Sequence, residues 1–438
     1  MDRMADAQEH PRTSSPESVP LAHPPEGPWR RASRATGLLR GTAPTPTVFE
    51  TMTGWAREHD AVNLGQGFPD HDGPAWIRQI AAQAMLTEPT SGAASLNQYA
   101  PGTGLPSLRA AVGHHLERHR GLQLDPDREI LITTGATEGI AAALLALVSP
   151  GDEVVVFEPF YDSYAAMIAL AGAVQVTVPL SAPDFQPDPL DLESVVTERT
   201  RMVVLNTPHN PTGAVLARGV LDQLIQVCSR HDLLVLSDEV YEHLVYDGEH
   251  HAVASTPGAW ERTITVSSAG KSLSLTGWKV GWLTGPAELV SAVRAVKQFL
   301  TYSSGPAYQE AVAEALLNDR GFLADQRDRF RRTRDLLVDG LHQAGLDPVV
   351  PAAGYFTVVD LAPWGVQDAA HAVRELTVQA GVTGIPVSSL CRPDQPGPLH
   401  SWVRLAFCKR PEVLQEAVRR LGAAADLAQD GAFAQPTR

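Results

Sequence analysis

The chain has 438 residues, 35 Lys and Arg against 50 Asp and Glu for a net charge of −15, and three cysteines. That length supports two domains and a large core, while the acidic balance argues against nucleic acid or an anionic membrane surface as a partner, so any anionic ligand must be met by locally placed cations. Cys228, Cys391 and Cys408 are too few and too scattered for a disulfide framework or a zinc site, and no apolar run approaches a membrane span; the expectation is a soluble protein of a reducing cytoplasm.

Residues 1–45, rich in Pro, Ser, Arg and Glu without periodicity, read as a disordered extension, and Asp2, Asp6 and Glu9 speak against a transit peptide. Ordered structure is predicted from Pro46, with a helix around Val48–Glu58. A tight loop follows at Asn63–Asp70 and a second at Asn97–Gly104. An amphipathic helix is predicted over Leu105–His119, with His114, His115 and His119 on a solvated face; no carboxylate pattern beside them suggests a metal. From Glu129 strands and helices alternate, which predicts a mainly parallel sheet covered on both faces. Its strands read at Ile130–Thr133, Glu153–Phe157, Gln175–Val178, Met202–Leu205, Leu233–Leu236, Thr263–Val266 and near Gly281–Leu283. After Thr301 one long helical stretch is expected over Tyr308–Gly345, its arginines solvated. A second domain then carries strands near Tyr355–Asp360 and Trp402–Phe407 and helices near Asp368–Ala380 and Pro411–Leu427.

In such a sheet function gathers at the carboxyl ends of the strands. Those ends carry, in order, the small residues Gly135, Ala136 and Thr137 opening a helix, then Phe160 and Tyr161, then the proline-stiffened loop Asn206–Gly213, then Asp238–Tyr241, then Lys271. A helix N-terminus with free N–H groups is a ready phosphate site. Lys271, between Gly270 and Ser272 and close to Ser268, Thr276 and Lys279, suits an anionic ligand bearing an aldehyde, which a lysine amine can capture. Arg404 alternates with Val403 and Leu405 on a strand, and a cation so placed needs a carboxylate from the protein or from a ligand.

Taken together the words Asn-Leu-Gly-Gln-Gly-Phe-Pro-Asp (63–70), Asn-Gln-Tyr (97–99), Glu-Pro-Phe-Tyr (158–161), Asn-Pro-Thr-Gly (210–213), Asp-Glu-Val-Tyr (238–241), Ser-Ala-Gly-Lys (268–271), Gly-Trp-Lys-Val-Gly-Trp (277–282) and Val-Arg-Leu-Ala-Phe (403–407) resemble the class I/II, fold-type I aminotransferases that depend on pyridoxal 5'-phosphate. The resemblance spans about Pro46 to Leu427. It implies an α/β fold: a large domain over 60–305 with a mostly parallel seven-stranded sheet between helices, and a smaller α+β domain built from 46–59 and 306–430. It implies that Lys271 holds the cofactor and carries the reacting proton, that Asp238 pairs with the pyridine nitrogen, and that Asn210 and Tyr241 bond the phenolic oxygen. Phe160 would stack on the ring. The phosphate would be held by Ala136, Thr137, Ser268 and Lys279, with Tyr99 arriving from the neighbouring subunit of a homodimer with shared active sites. Arg404 would clamp the substrate carboxylate beside the backbone of Gly67.

Within the family the wording is most similar to the branch holding kynurenine and glutamine transaminases and the actinobacterial N-succinyldiaminopimelate aminotransferases. Three pocket positions that are aromatic in the animal enzymes align with Thr47, Thr137 and Ser303, which implies a roomier, more polar pocket. The implied activity is ping-pong amino transfer between an α-amino acid and a 2-oxo acid, with 2-oxoglutarate and glutamate as partner pair and N-succinyl-LL-2,6-diaminopimelate as candidate substrate. The alternatives are a kynurenine, glutamine or methionine transaminase or a cysteine-conjugate β-lyase. A cofactor-sensing regulator is disfavoured, because residues 1–45 contain no helix-turn-helix pattern.

Overall fold

The computed structural model describes residues 27–89, 95–394 and 397–433. Seven strands form the large sheet: β1 (Ile130–Thr134), β2 (Glu153–Glu158), β3 (Val174–Pro179), β4 (Thr200–Asn206), β5 (Leu234–Asp238), β6 (Thr263–Ser268) and β7 (Val280–Thr284), in the order β1-β7-β6-β5-β4-β2-β3. Only β7 runs against its neighbours; the other pairings are parallel. The side-chain alternation of a strand divides each apolar run between two cores. Val154, Val156, Met202 and Val204 face one side, packed with Ile140, Leu144 and Ile168 of the helices Gly135–Leu147 and Asp162–Ala171. Val155, Phe157, Val203 and Leu205 face the other, against Leu221, Leu224 and Ile225 of Arg218–Arg230. Both faces are therefore dry, which is why these strands are apolar without interruption.

A second sheet joins Phe356–Asp360, Trp402–Ala406 and Ile385–Pro386 antiparallel. The helices Phe322–Gln343 and Pro411–Gln429 cover it through Phe330, Leu337, Leu341, Leu414 and Leu421. The helix Val48–Glu58 enters this same core through Met52, and Val62–Asn63 pairs in parallel with Val382–Thr383. Thr47 starts that helix with a reciprocal cap: its hydroxyl accepts from the Glu50 N–H, and the Glu50 carboxylate accepts from the Thr47 N–H. The loop after Asn63 is thereby fixed between the two sheets.

Four local expectations change. Of the supposed disordered extension 1–45, residues 27–45 are folded: Pro28–Ala35 is a helix packed on Asp162–Ala171, with Arg31 Nε donating to the Ala169 carbonyl, and Leu39–Arg40 pairs with Ala43–Pro44. Residues 1–26 lie outside the described residues. The long helix splits into Pro306–Leu317 and Phe322–Gln343, because Arg320 and Gly321 take positive φ angles of 54° and 81° that no right-handed helix tolerates. On the second of these helices Arg334 is buried rather than solvated, bonded to Asp247 and to the Pro351 carbonyl. His114 and His119 are exposed as expected, but His115 is 2% exposed and its Nε2 lies 2.7 Å from His243 Nε2. All three cysteines are buried and free. Among the described residues no helix is long and apolar enough to cross a membrane.

Candidate active site

The carboxyl ends of β4, β5 and β6 and the amino end of Gly135–Leu147 open on a cavity of about 340 Å³, closed on its other side by the 66–68 loop, Phe49, Phe356 and Arg404. Lys271 sits on the single turn Ala269–Ser272, which Ser268 caps by accepting from the Gly270 N–H at 3.2 Å. The Lys271 carbonyl is fixed twice, by the Tyr355 hydroxyl at 2.9 Å and Gln326 Nε2 at 3.1 Å. Its amine points into the cavity, donates to the Gly67 carbonyl at 3.0 Å, and lies 5.3 and 5.6 Å from the ring centres of Tyr355 and Tyr241. Burial pulls its pKa down to about 8, so a useful share of neutral, nucleophilic amine exists near neutrality.

Asp238 ends β5 and is 4% exposed; its Oδ2 accepts from the Tyr164 hydroxyl at 2.6 Å. Burial lifts its pKa to about 6, against the pull of Tyr164, the Val240 N–H and the Lys271 charge. Asn206, at the end of β4, ties the neighbouring loop to this strand: Nδ2 donates to the Asp238 carbonyl at 2.9 Å and Oδ1 accepts from the Asn210 N–H at 2.7 Å. Asn210 Oδ1 in turn accepts from Arg404 at 3.0 Å, which leaves its amide NH₂ as the donor group. Tyr241 is buried edge-on to Tyr355.

Arg404 is 2% exposed and, among the described residues, contacts no carboxylate. It donates to Asn210 and, at 2.9 Å, to the Gly65 carbonyl, with the Phe356 ring 4.0 Å and the Phe49 ring 5.3 Å away. Among the described residues its Nε finds no protein acceptor. Burial lowers its pKa only to about 10, with the Asp162 carboxylate pulling the other way at longer range, so it stays charged, and a buried guanidinium that no carboxylate contacts among the described residues, facing a cavity, calls for an anion.

At the far end Gly135, Ala136 and Thr137 bring helix N-terminal N–H groups to the cavity, with Ser268, Thr276 and Lys279 around them. Gly135 has φ of 69°, and an added Cβ would lie 3.2 Å from Lys279 Nζ; a Cβ on Gly281 would come within 2.7 Å of the Gly135 backbone. Only glycines let β7 and this turn approach so closely. N–H groups, two hydroxyls and one ammonium form a donor set for phosphate. An amine, a dry carboxylate and this cradle share one cavity, so the residues present fit pyridoxal phosphate at its aldehyde, ring nitrogen and phosphate.

Two predicted positions fall elsewhere. Phe160 does not face the cavity: its N–H donates to the Leu390 carbonyl at 2.8 Å and its ring is buried in the sheet core, so the next residue, Tyr161, immediately before the following helix, lines the site instead. Tyr99 is 88% exposed, edge-on to Tyr302, and outside the cavity of its own chain. Of Thr47, Thr137 and Ser303 only Thr137 lines the cavity, whose walls include Phe49, Phe68, Tyr161 and Phe356; the pocket is more aromatic than expected. Sequence reasoning placed Tyr161 and Asn206 at strand ends without giving them a role, and missed Tyr164, Phe49 and Phe356. The tyrosines stand three apart at a helix start, a spacing that puts them on one face and could have flagged them.

The pattern that defines the family "Aminotransferase class I and II" matches residues 59–421. The chain is 45% identical over 390 residues, 87% of its length and 96% of the relative's, to a probable N-succinyldiaminopimelate aminotransferase DapC of Mycobacterium tuberculosis. The solved structure of N-succinyldiaminopimelate aminotransferase from that organism superposes with a TM-score of 0.82 at 45% identity, over 86% of this chain and 97% of that one. Similarity is 40% over 377 residues to the methionine aminotransferase of Escherichia coli (86% and 95% covered). It is 37% over 401 residues to human kynurenine–oxoglutarate transaminase 3 (84% and 86%).

Proposed function

The chain belongs to the class I and II aminotransferases, enzymes that use pyridoxal 5'-phosphate, and on that premise we propose that its amino donor is N-succinyl-LL-2,6-diaminopimelate, with 2-oxoglutarate as acceptor. The cofactor, when bound, supplies an electron sink for the pair left as the substrate Cα–H bond breaks. The chain's own residues do the rest. Lys271 Nζ would hold the cofactor at its aldehyde end and, as a neutral amine, would serve as the base that moves the substrate Cα proton. Asp238 would accept from the ring N–H. Asn210 and Tyr241 would donate to the phenolic oxygen, Tyr161 would cover a ring face, and the 135–137 turn with Ser268 and Lys279 would hold the phosphate. Arg404 offers its free donors to the substrate α-carboxylate.

The observation that carries the reading is the pairing of a cavity-facing lysine amine with a buried Arg404 that contacts no carboxylate among the described residues. The 45% identity supports the choice of donor, and such a donor would place the enzyme in lysine biosynthesis in the cytoplasm. Exposed Tyr99, Tyr302 and Phe299 support a homodimer in which Tyr99 completes the partner's phosphate site. A methionine- or kynurenine-type donor is the second reading, favoured by the aromatic walls Phe49, Phe68 and Phe356. Holoenzyme mixed with single donors separates them. N-succinyl-diaminopimelate is expected to convert the pyridoxal form to the pyridoxamine form fastest, and a faster conversion by methionine or kynurenine would replace it.

A further inference from the structure

Asp238 is the only acid among the described residues that line the cavity. Its carboxylate has one short donor, the hydroxyl of Tyr164 at 2.6 Å; the other contact, the Val240 N–H on Oδ1, is 3.4 Å long. Tyr164 lies in the first turn of Asp162–Ala171, 1% exposed, and its ring stands edge-on to that of Tyr161 at 5.6 Å. One short helix start thus carries the tyrosine that faces the cavity and the tyrosine that holds the acid behind it.

We propose that Tyr164 is a positioning residue for pyridoxal phosphate: its hydroxyl fixes Asp238 Oδ2 and keeps the carboxylate ionised and turned to accept from the ring nitrogen. The inference rests on the reading of Asp238 as the ring nitrogen's partner. A carboxylate in a dry site gains a proton unless donors favour its anion. Burial already lifts Asp238 to about 6 with Tyr164 in place, so removing the phenol raises it further toward neutrality. Tyr164 itself cannot compete as an acid, because burial and the Asp238 charge hold its pKa well above the usual range. It acts as a donor only, and a protonated Asp238 would lose the charge that keeps the ring nitrogen protonated.

The test reconstitutes apoprotein with pyridoxal phosphate and, separately, with its 1-deaza analogue, in which C–H replaces the ring nitrogen, and measures both dissociation constants. Tyr164→Phe is expected to weaken the natural cofactor about tenfold, the scale of a lost hydrogen bond to a charged group, and to leave the analogue within about twofold. The pH at which cofactor affinity falls should also shift upward. Equal weakening of both ligands, or of neither, overturns the role, since a merely structural tyrosine cannot sense the ring nitrogen. Asp238→Ala is run alongside: if it too fails to discriminate the ligands, the assignment of Asp238 is what fails; if it discriminates while Tyr164→Phe does not, only the role of Tyr164 falls. Should Tyr164→Phe not fold, Tyr164→His, which keeps an N–H donor, must preserve the wild-type discrimination, and its loss would count against the proposal.

Discussion

The six residues Asp238–His243 face two ways, and the two sides handle buried charge differently. Toward the cavity stand Asp238 and Tyr241, with Lys271 and Arg404 opposite; among the described residues neither of these two cations contacts a carboxylate. Behind them, Glu242 accepts from Arg120 at 3.1 Å and from the Ser267 hydroxyl at 2.7 Å. Glu239 accepts from His250 at 2.7 Å, from the Ser237 hydroxyl and from the Val253 N–H. Glu239, Glu242 and His250 bring ligand atoms within 4.8 Å of one another, yet both carboxylates are already occupied by protein donors. Charge with its partners supplied by the chain holds the fold; charge left short awaits a ligand.

The sharpest way to break this contrast is Lys271→Met. Turnover should vanish, because the other amine lining the cavity, Lys279, stands in the phosphate cradle at its far end and cannot take over the role. The apoprotein should meanwhile become more stable by about 1 kcal/mol in urea unfolding, since a desolvated amine is replaced by an apolar chain of similar length. A less stable apoprotein would mean that the Gly67 contact is structural. Next comes Arg404→Lys. One ammonium cannot reproduce the guanidinium fork, so KM for the amino acid should rise roughly tenfold to a hundredfold. An unchanged KM would remove Arg404 from the substrate site.

The cavity side was largely legible in the sequence, because Lys271, Asp238 and Asn210 sit at strand ends or in glycine- and proline-marked loops, where composition shows through, and Arg404 stands out as a cation in the middle of an apolar strand. The seven strands were legible for a related reason: burial on both faces demands long apolar runs. Phe160 was misread because two aromatics adjoin at a strand-to-helix junction, and which one turns inward depends on a bond to Leu390, 230 residues away in number but adjacent in space. Phe49 and Phe356 escaped notice because their role comes from packing on Arg404 across sequence-distant elements. The partnered side was invisible. His115 pairs with a histidine on another element, and Arg120 with Glu242, so neither carries a local signature.

That side is tested by stability, with smaller effects. Glu242→Gln strips the carboxylate from Arg120 and His243 and should cost about 3 kcal/mol in urea unfolding. The folded fraction should retain its turnover; full stability with lost turnover would reverse the contrast.

The smallest effect is pH dependence at His115. Burial, backed by His119 and Arg120 and opposed by Glu242, lowers its pKa from 6.5 to about 4. The unfolded chain therefore takes up a proton that the folded one refuses, so stability is full above about 6.5 and falls as pH drops toward 4. His243, against the same Nε2, is lowered too, by burial first, and acts in the same direction. Glu242 differs: burial would raise it, but His243 and Arg120 prevail and hold it low, so its contribution fades only below the usual carboxylate range. Asp238, raised to about 6, runs the other way, binding a proton more readily folded than unfolded between about 4 and 6. The slope of the wild type alone mixes these, so the informative quantity is the difference between wild type and His115→Asn, in which Asp238 cancels. That difference should shrink steadily from pH 6.5 to 4; a difference independent of pH would show that His115 contributes by packing and not by refusing a proton.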